Sequence, residues 1–206
     1  MGKTFFTSDL HFGHENVLKF DNRPFTTVEE MDAELIRRWN NKVSNDDLVY
    51  VLGDMIWKTS NDDATSLIKR LNGQIILIKG NHDRFLHNAK AKVALAGLKD
   101  YDDICVTLED GTTRRVILSH YFIPMDNGHR YQTIHLHAHS HFTDEADYEV
   151  DFAEQLNQMG CRNQIYNVGC MYWNYEPITL DEILAHGKTI RPNYGTRTPE
   201  RKNEDD

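Results

Sequence analysis

Side chains able to hold a cation recur directly after apolar runs. Asp9 and His11 follow Thr4-Phe5-Phe6-Thr7-Ser8, and Asp54 follows Leu48-Val49-Tyr50-Val51-Leu52 by way of Gly53. Asn81 and His82 follow Ile75-Ile76-Leu77-Ile78, His120 follows Arg114 to Leu118, and a His-rich run from His135 to His141 follows Thr133-Ile134. Carboxylate, amide and imidazole donors together suit divalent transition metals. Each piece alone has an ordinary reading. An Asp-x-His or Gly-Asp is often a turn, and a lone His is often a hydrogen-bonded structural residue. The four alternate histidines His135, His137, His139 and His141 would share one face of a strand. That face is either a metal-binding cluster or a solvated edge.

The elements that position these residues read from periodicity and turn chemistry. Three apolar runs, at 4–8, 48–52 and 75–78, are expected strands, and their lack of alternation fits strands covered on both faces. Thr27 and Glu30 have the spacing of a capping box. Met31, Leu35, Trp39 and Val43 then recur every four residues, which predicts a helix. A second helix is expected around Ala64, Leu67, Ile68 and Leu71, and a third over 86–95. The first half is therefore β-α-β-α-β, which implies parallel pairing through crossovers. In such sheets ligands bind beyond the strand C-termini. In the second half, Asp110-Gly111 between two apolar runs signals a hairpin. Further strands are expected at 133–136 and 165–168, and Thr179 and Glu182 form a second capping box. This half reads as richer in antiparallel strands. The fold expected is α/β, with two mixed sheets packed face to face and helices outside.

The chain has 206 residues with a formal net charge of −9. That size fits a single domain, expected over 1–190, followed by a polar tail over 191–206 with too little apolar surface to offset ordering. No stretch is long and apolar enough for a membrane span, and no signal peptide is apparent. Three cysteines, Cys105, Cys161 and Cys170, match no zinc or redox spacing, which points to reduced thiols in the cytoplasm. The negative charge argues against extended nucleic-acid binding, while leaving small phosphate esters, nucleotides and nucleic-acid ends open as substrates.

The blocks Asp9-Leu10-His11, Gly53-Asp54, Gly80-Asn81-His82-Asp83, His120 and Ala138-His139-Ser140-His141, in that order, resemble the calcineurin-like metallophosphoesterases. Ser8 and Asn167-Val168-Gly169 near Trp173 further resemble short prokaryotic and phage members. The resemblance implies a four-layer αββα sandwich and a dinuclear metal centre. It implies that Asp9, His11 and His141 bind one ion, that Asn81, His120 and His139 bind the other, and that Asp54 bridges them. His137 with His139 is the alternative register for the last pair. Ala138 stands where the family pattern has Gly, so a left-handed backbone there would be strained. Manganese is the expected metal, with iron, zinc or nickel as alternatives.

The implied chemistry is phosphate ester hydrolysis by a hydroxide that bridges the two ions. His82 would serve the leaving oxygen. Asp83 would orient His82 or support a ligand. His14 and Arg84 are candidates to face the phosphate, with a plain surface role as the alternative. A phosphodiester is favoured as substrate, because a short, loop-poor chain leaves an open site. A phosphomonoester, a nucleic-acid end, or a binding role without catalysis are the alternatives.

Overall fold

The computed structural model describes residues 2–57, 61–87 and 89–186. The expected polar tail lies outside the described residues. Two sheets form the centre. The first has the order β4-β3-β2-β1-β9, built from β1 (Thr4–Thr7), β2 (Leu48–Val51), β3 (Gln74–Ile78), β4 (Gly97–Lys99) and β9 (Ile178–Thr179). Its four longer-range neighbours β1 to β4 run parallel, and β9 is antiparallel to β1. The second has the order β5-β6-β7-β8, from β5 (Asp102–Thr107), β6 (Thr113–Leu118), β7 (Ile134–His137) and β8 (Gln164–Asn167).

The β5–β6 pair is the hairpin foreseen at Asp110-Gly111. The rest of this sheet differs from the expectation, because β6, β7 and β8 pair in parallel. The chain returns from β6 to β7 through residues 119–133 with no α-helix. The crossover therefore lacks the helical signature that marks a parallel connection.

Alternate residues of the strands divide two cores. Phe6, Tyr50, Leu52 and Ile78 of the first sheet pack against Val116, Leu118, Ile134, Leu136 and Tyr166 of the second. Phe5, Val49, Val51, Ile75 and Leu77 face the other way, into a core with Met31, Leu35 and Trp39. Those last three lie on α2 (Val28–Lys42), which follows the short α1 (Val17–Phe20) and whose apolar residues recur every four positions and so share one face. The Thr27 hydroxyl accepts the Glu30 N–H at 3.2 Å and caps the helix. After α3 (Asn61–Ile68) and α4 (Ala89–Ala94) in the chain, α5 (Asp144–Gln158) lies beyond the second sheet, where Glu149 and Phe152 meet His137 and Phe122. Helix, sheet, sheet and helix thus make the four layers. The Thr179–Glu182 box opens α6 (Leu180–His186) with reciprocal bonds of 3.3 and 2.7 Å. No helix among the described residues is long and apolar enough to cross a membrane.

At the C-terminal ends of the parallel strands the two sheets are tied together. Ser8 and Gly169 form a parallel bridge. The Ser8 hydroxyl donates to the Leu52 carbonyl at 2.7 Å, joining the ends of β1 and β2.

Candidate metal centre

All seven sequence-predicted ligand residues gather at this tied end. Asp9 and His11 leave β1, Asp54 leaves β2, Asn81 leaves β3, His120 leaves β6, and His139 and His141 leave β7. They form two groups. One ligand atom each from Asp9, His11 and His141 lies within 4.8 Å of the others, and the same holds for Asp54, His120 and His139. Asn81 joins the second group, with Oδ1 at 3.0 Å from His120 Nε2. Asp54 sits between them: its Oδ2 is 3.7 Å from His11 Nε2 and 3.7 Å from His120 Nε2. His137 does not enter either group. It packs on Phe122 and His135, on the α5 side of the second sheet.

The backbone is forced to aim these donors. Asp9, His11, Asp54, His139 and His141 all adopt positive φ, between 46° and 73°. Each such non-glycine residue costs about 1–2 kcal/mol. Five of the nine described non-glycine residues at positive φ are thus donors, the clustering that strain shows at functional sites. Ala138 is not among the positive-φ residues; it is buried in the core between the sheets, and the strain expected there falls on His139 instead. Two glycines are required by close approach. A Cβ on Gly80 would meet the Asp54 carboxylate and its N–H, and one on Gly53 would meet the His120 ring.

Asp83 does not reach the His82 ring with a hydrogen bond. It accepts the N–H groups of Gly80 at 2.7 Å, Met55 at 2.9 Å and Asp54 at 3.1 Å. It therefore staples the loop after β2 to the loop after β3 and fixes where Asp54 stands. The His120 Nδ1 lies 2.6 Å from the Leu52 carbonyl, which can only accept, so Nδ1 carries the proton and Nε2 keeps its lone pair for the group.

The electrostatics of the two groups are set by burial and by one another. Burial, and then the neighbouring Asp9, raise the Asp54 carboxyl to about 7. Burial, and then His141, push His11 well below the ordinary imidazole value. Burial opposes protonation of His141, yet the carboxylates of Asp9 and Asp21 raise it. Two imidazole nitrogens, Nε2 of His11 and of His141, approach to 3.1 Å. The buried Asp9 Oδ1, 3.7 Å from His141, has no hydrogen-bond partner. Converging lone pairs beside an orphaned carboxylate oxygen fit a bound divalent ion. No cysteine belongs to either group, so a thiolate zinc site is not what the residues make.

Around the groups the remaining predicted residues take distinct places. His82 is half-buried, with its ring 4.5 Å from Trp57 and 5.9 Å from His11. Burial, then His139 and Arg84, lower it to about 4, so the ring is neutral at pH 7. Arg84 is exposed beside it. His14 is buried, stacked on Trp57 at 3.8 Å and 5.6 Å from Phe20, so its ring is part of the wall and not of the opening. Burial, and then His82, lower it to about 4. Phe20 and Tyr121, each 48% exposed, stand at the rim beside His141 and His139.

Sequence reasoning missed Asp21, Arg23, Trp57, Phe20 and Tyr121 as site residues. Nothing in the run from Phe20 to Pro24 signals that Asp21 and Arg23 are buried. A cavity of about 590 Å³ lies elsewhere, lined by Lys3, Lys42, Asp47, Glu109, Asp181 and Glu182. Two of its carboxylates pair with its lysines, Glu109 with Lys3 and Glu182 with Lys42, and it contains no residue of the two groups.

The chain is similar to several known proteins. An uncharacterized protein of Methanocaldococcus jannaschii, MJ1445, is 33% identical over 195 residues, which is 93% of this chain and 96% of the relative. The Gene 66 protein of Mycobacterium phage L5 is 40% identical over 85 residues, 40% of this chain and 41% of the phage protein. The crystal structure of a protein of unknown function from Aquifex aeolicus, AQ665, shares the fold with a TM-score of 0.65 at 22% identity, over 90% of this chain and 100% of that one. The calcineurin-like phosphoesterase pattern matches residues 2–200. With those matched residues carrying every donor of the two groups, the chain belongs to the calcineurin-like phosphoesterase family.

Proposed function

We propose that the protein hydrolyses phosphate esters with two divalent metal ions, manganese first among them, and that it prefers diesters to monoesters. The observation that carries this reading is the position of Asp54, whose Oδ2 is equally far, 3.7 Å, from a histidine nitrogen of each group. A carboxylate there offsets the repulsion of two cations. Asp9, His11 and His141 would hold one ion, and Asn81, His120 and His139 the other. When bound, such a pair supplies Lewis acidity to the phosphoryl oxygens and a nucleophile from water at neutral pH.

The chain's own residues do the rest. Asp54 and Asp9 would supply the carboxylates that anchor the positive charge. His82 lies beside the groups on the open side and carries a ring N–H to the leaving oxygen, stabilising the charge that develops there. Arg84, exposed next to it, attracts the substrate phosphate. Asn81 is exposed, and His82 and His139 are partly exposed, so a phosphorus with two substituents has access. The three thiols are unpaired, Cys105 of them exposed, which suits a reducing, cytoplasmic setting.

Purified protein, stripped of metal and then given manganese, is offered bis-p-nitrophenyl phosphate and p-nitrophenyl phosphate. Manganese-dependent turnover with the diester ahead is the expected result. Faster turnover of the monoester overturns the diester preference, and turnover of neither overturns the enzymatic reading.

One observation favours a second reading, action on nucleic-acid ends: Phe20 and Tyr121 form an exposed aromatic rim on which bases could stack. Steep loss of oligonucleotide turnover with salt would favour it.

A further inference from the structure

Behind the Asp9, His11 and His141 group lies a buried ion pair. Arg23 Nε donates to Asp21 Oδ2 at 2.8 Å, and both side chains are fully buried. The other guanidinium nitrogens of Arg23 donate to backbone carbonyls, Nη2 to Asp9 at 2.6 Å and Nη1 to Leu10 at 2.8 Å. Asp21 has one oxygen left, Oδ1. It faces His141 Nδ1 at 3.4 Å, longer than a good hydrogen bond, and neither atom has another partner.

We propose that Asp21 and Arg23 are positioning residues that set the tautomer and orientation of His141. The proposal rests on the dinuclear reading above for its purpose, though not for its geometry. A carboxylate oxygen only accepts, so Asp21 Oδ1 holds the proton on His141 Nδ1 and leaves Nε2 as a donor of electrons. Nε2 is the atom 3.1 Å from His11 Nε2 and 3.7 Å from Asp9 Oδ1. Arg23 holds Asp21 in place, and the same guanidinium grips the carbonyl of Asp9, a residue held at φ 53°. One ion pair thus fixes the ring of one donor and the backbone of another, across the 119 residues of sequence between Asp21 and His141. Partners of this kind behind a metal-binding histidine change metal affinity by about 10- to 100-fold.

The substitution to make is Asp21→Asn. Its amide oxygen remains with the Arg23 N–H, so its NH₂ turns toward His141 and drives the proton from Nδ1 to Nε2. Two readouts are taken on the full chain. The first is the protonated ring nitrogen of His141, from ¹⁵N spectra of metal-free protein in alkaline buffer, assigned with His141→Gln. The second is manganese and zinc binding by calorimetry.

We expect the proton on Nδ1 in the wild type and on Nε2 in Asp21→Asn, with one of the two binding steps weakened about 10- to 100-fold. A wild-type proton on Nε2 overturns the proposal, whether or not the variant folds. So does a folded variant whose two binding steps match the wild type. A wild type that takes up no metal overturns the dinuclear reading instead, and the ring spectra then decide the positioning of His141 alone.

Discussion

His11 and His141 bring their Nε2 atoms to 3.1 Å of each other although 129 residues separate them in the chain and each ring is buried. A proton between them makes a hydrogen bond but leaves Asp9 Oδ1 without a partner. A cation serves all three atoms. The same argument applies across Asp54 to His120, and Asp83 and Asp21 support that convergence from outside.

Asp83→Ala is expected to cost both stability and metal. The N–H groups of Asp54, Met55 and Gly80 lose their shared acceptor, at about 1–3 kcal/mol for each group left buried and unpaired. Denaturant midpoints and metal titration of the same sample check this. Unchanged metal binding would mean that Asp83 does not position Asp54.

Gly80→Ala is expected to displace the Asp54 carboxylate, because the added methyl occupies its position. Metal uptake should fall more than the secondary structure measured by circular dichroism. Equal metal content in the variant and wild type would show that the loop yields at no cost to the site.

His82→Ala should lower kcat about 100- to 10,000-fold while both metals remain bound. Single-turnover rates and elemental analysis test the two halves of this statement. A variant that turns over like the wild type would remove His82 from the chemistry.

Glu149 supplies a pH prediction apart from the donors. Burial raises its carboxyl from the ordinary 4.5 to about 7, against the pull of the Ser140 hydroxyl, which donates to it at 2.7 Å. Its folded pKa lies above the unfolded one, so the stability linked to its proton is full below 4.5 and is lost as pH rises through about 7. The wild type should therefore lose stability relative to Glu149→Gln across that window. A difference between the two that is constant with pH contradicts the shift.

Local chemistry made much of this legible in the residues themselves. The β1, β2 and β3 runs are apolar throughout and end on polar donors. Thr27 and Thr179 start their helices with capping boxes, and Asp110-Gly111 turns the hairpin. These features depend on neighbours within about five residues. The unforeseen parts depend on distant ones. Helix α5 buries only Ala146, Val150 and Leu156 among its 15 residues, a stripe too thin to stand out from its acidic surroundings. Strands β4 and β9, of three and two residues, exist because β3 and β1 offer open edges. Asp21 and Arg23 look like solvated turn residues until the fold closes over them.

The most direct test of the account is a metal count. Apo-protein is reconstituted with manganese, dialysed and analysed for metal per chain, for wild type and Asp54→Asn. The account predicts two ions per wild-type chain, with diesterase activity restored in step, and loss of the paired state and the activity in the variant. Two ions bound by Asp54→Asn with undiminished activity, or no ion bound by the wild type, would contradict it.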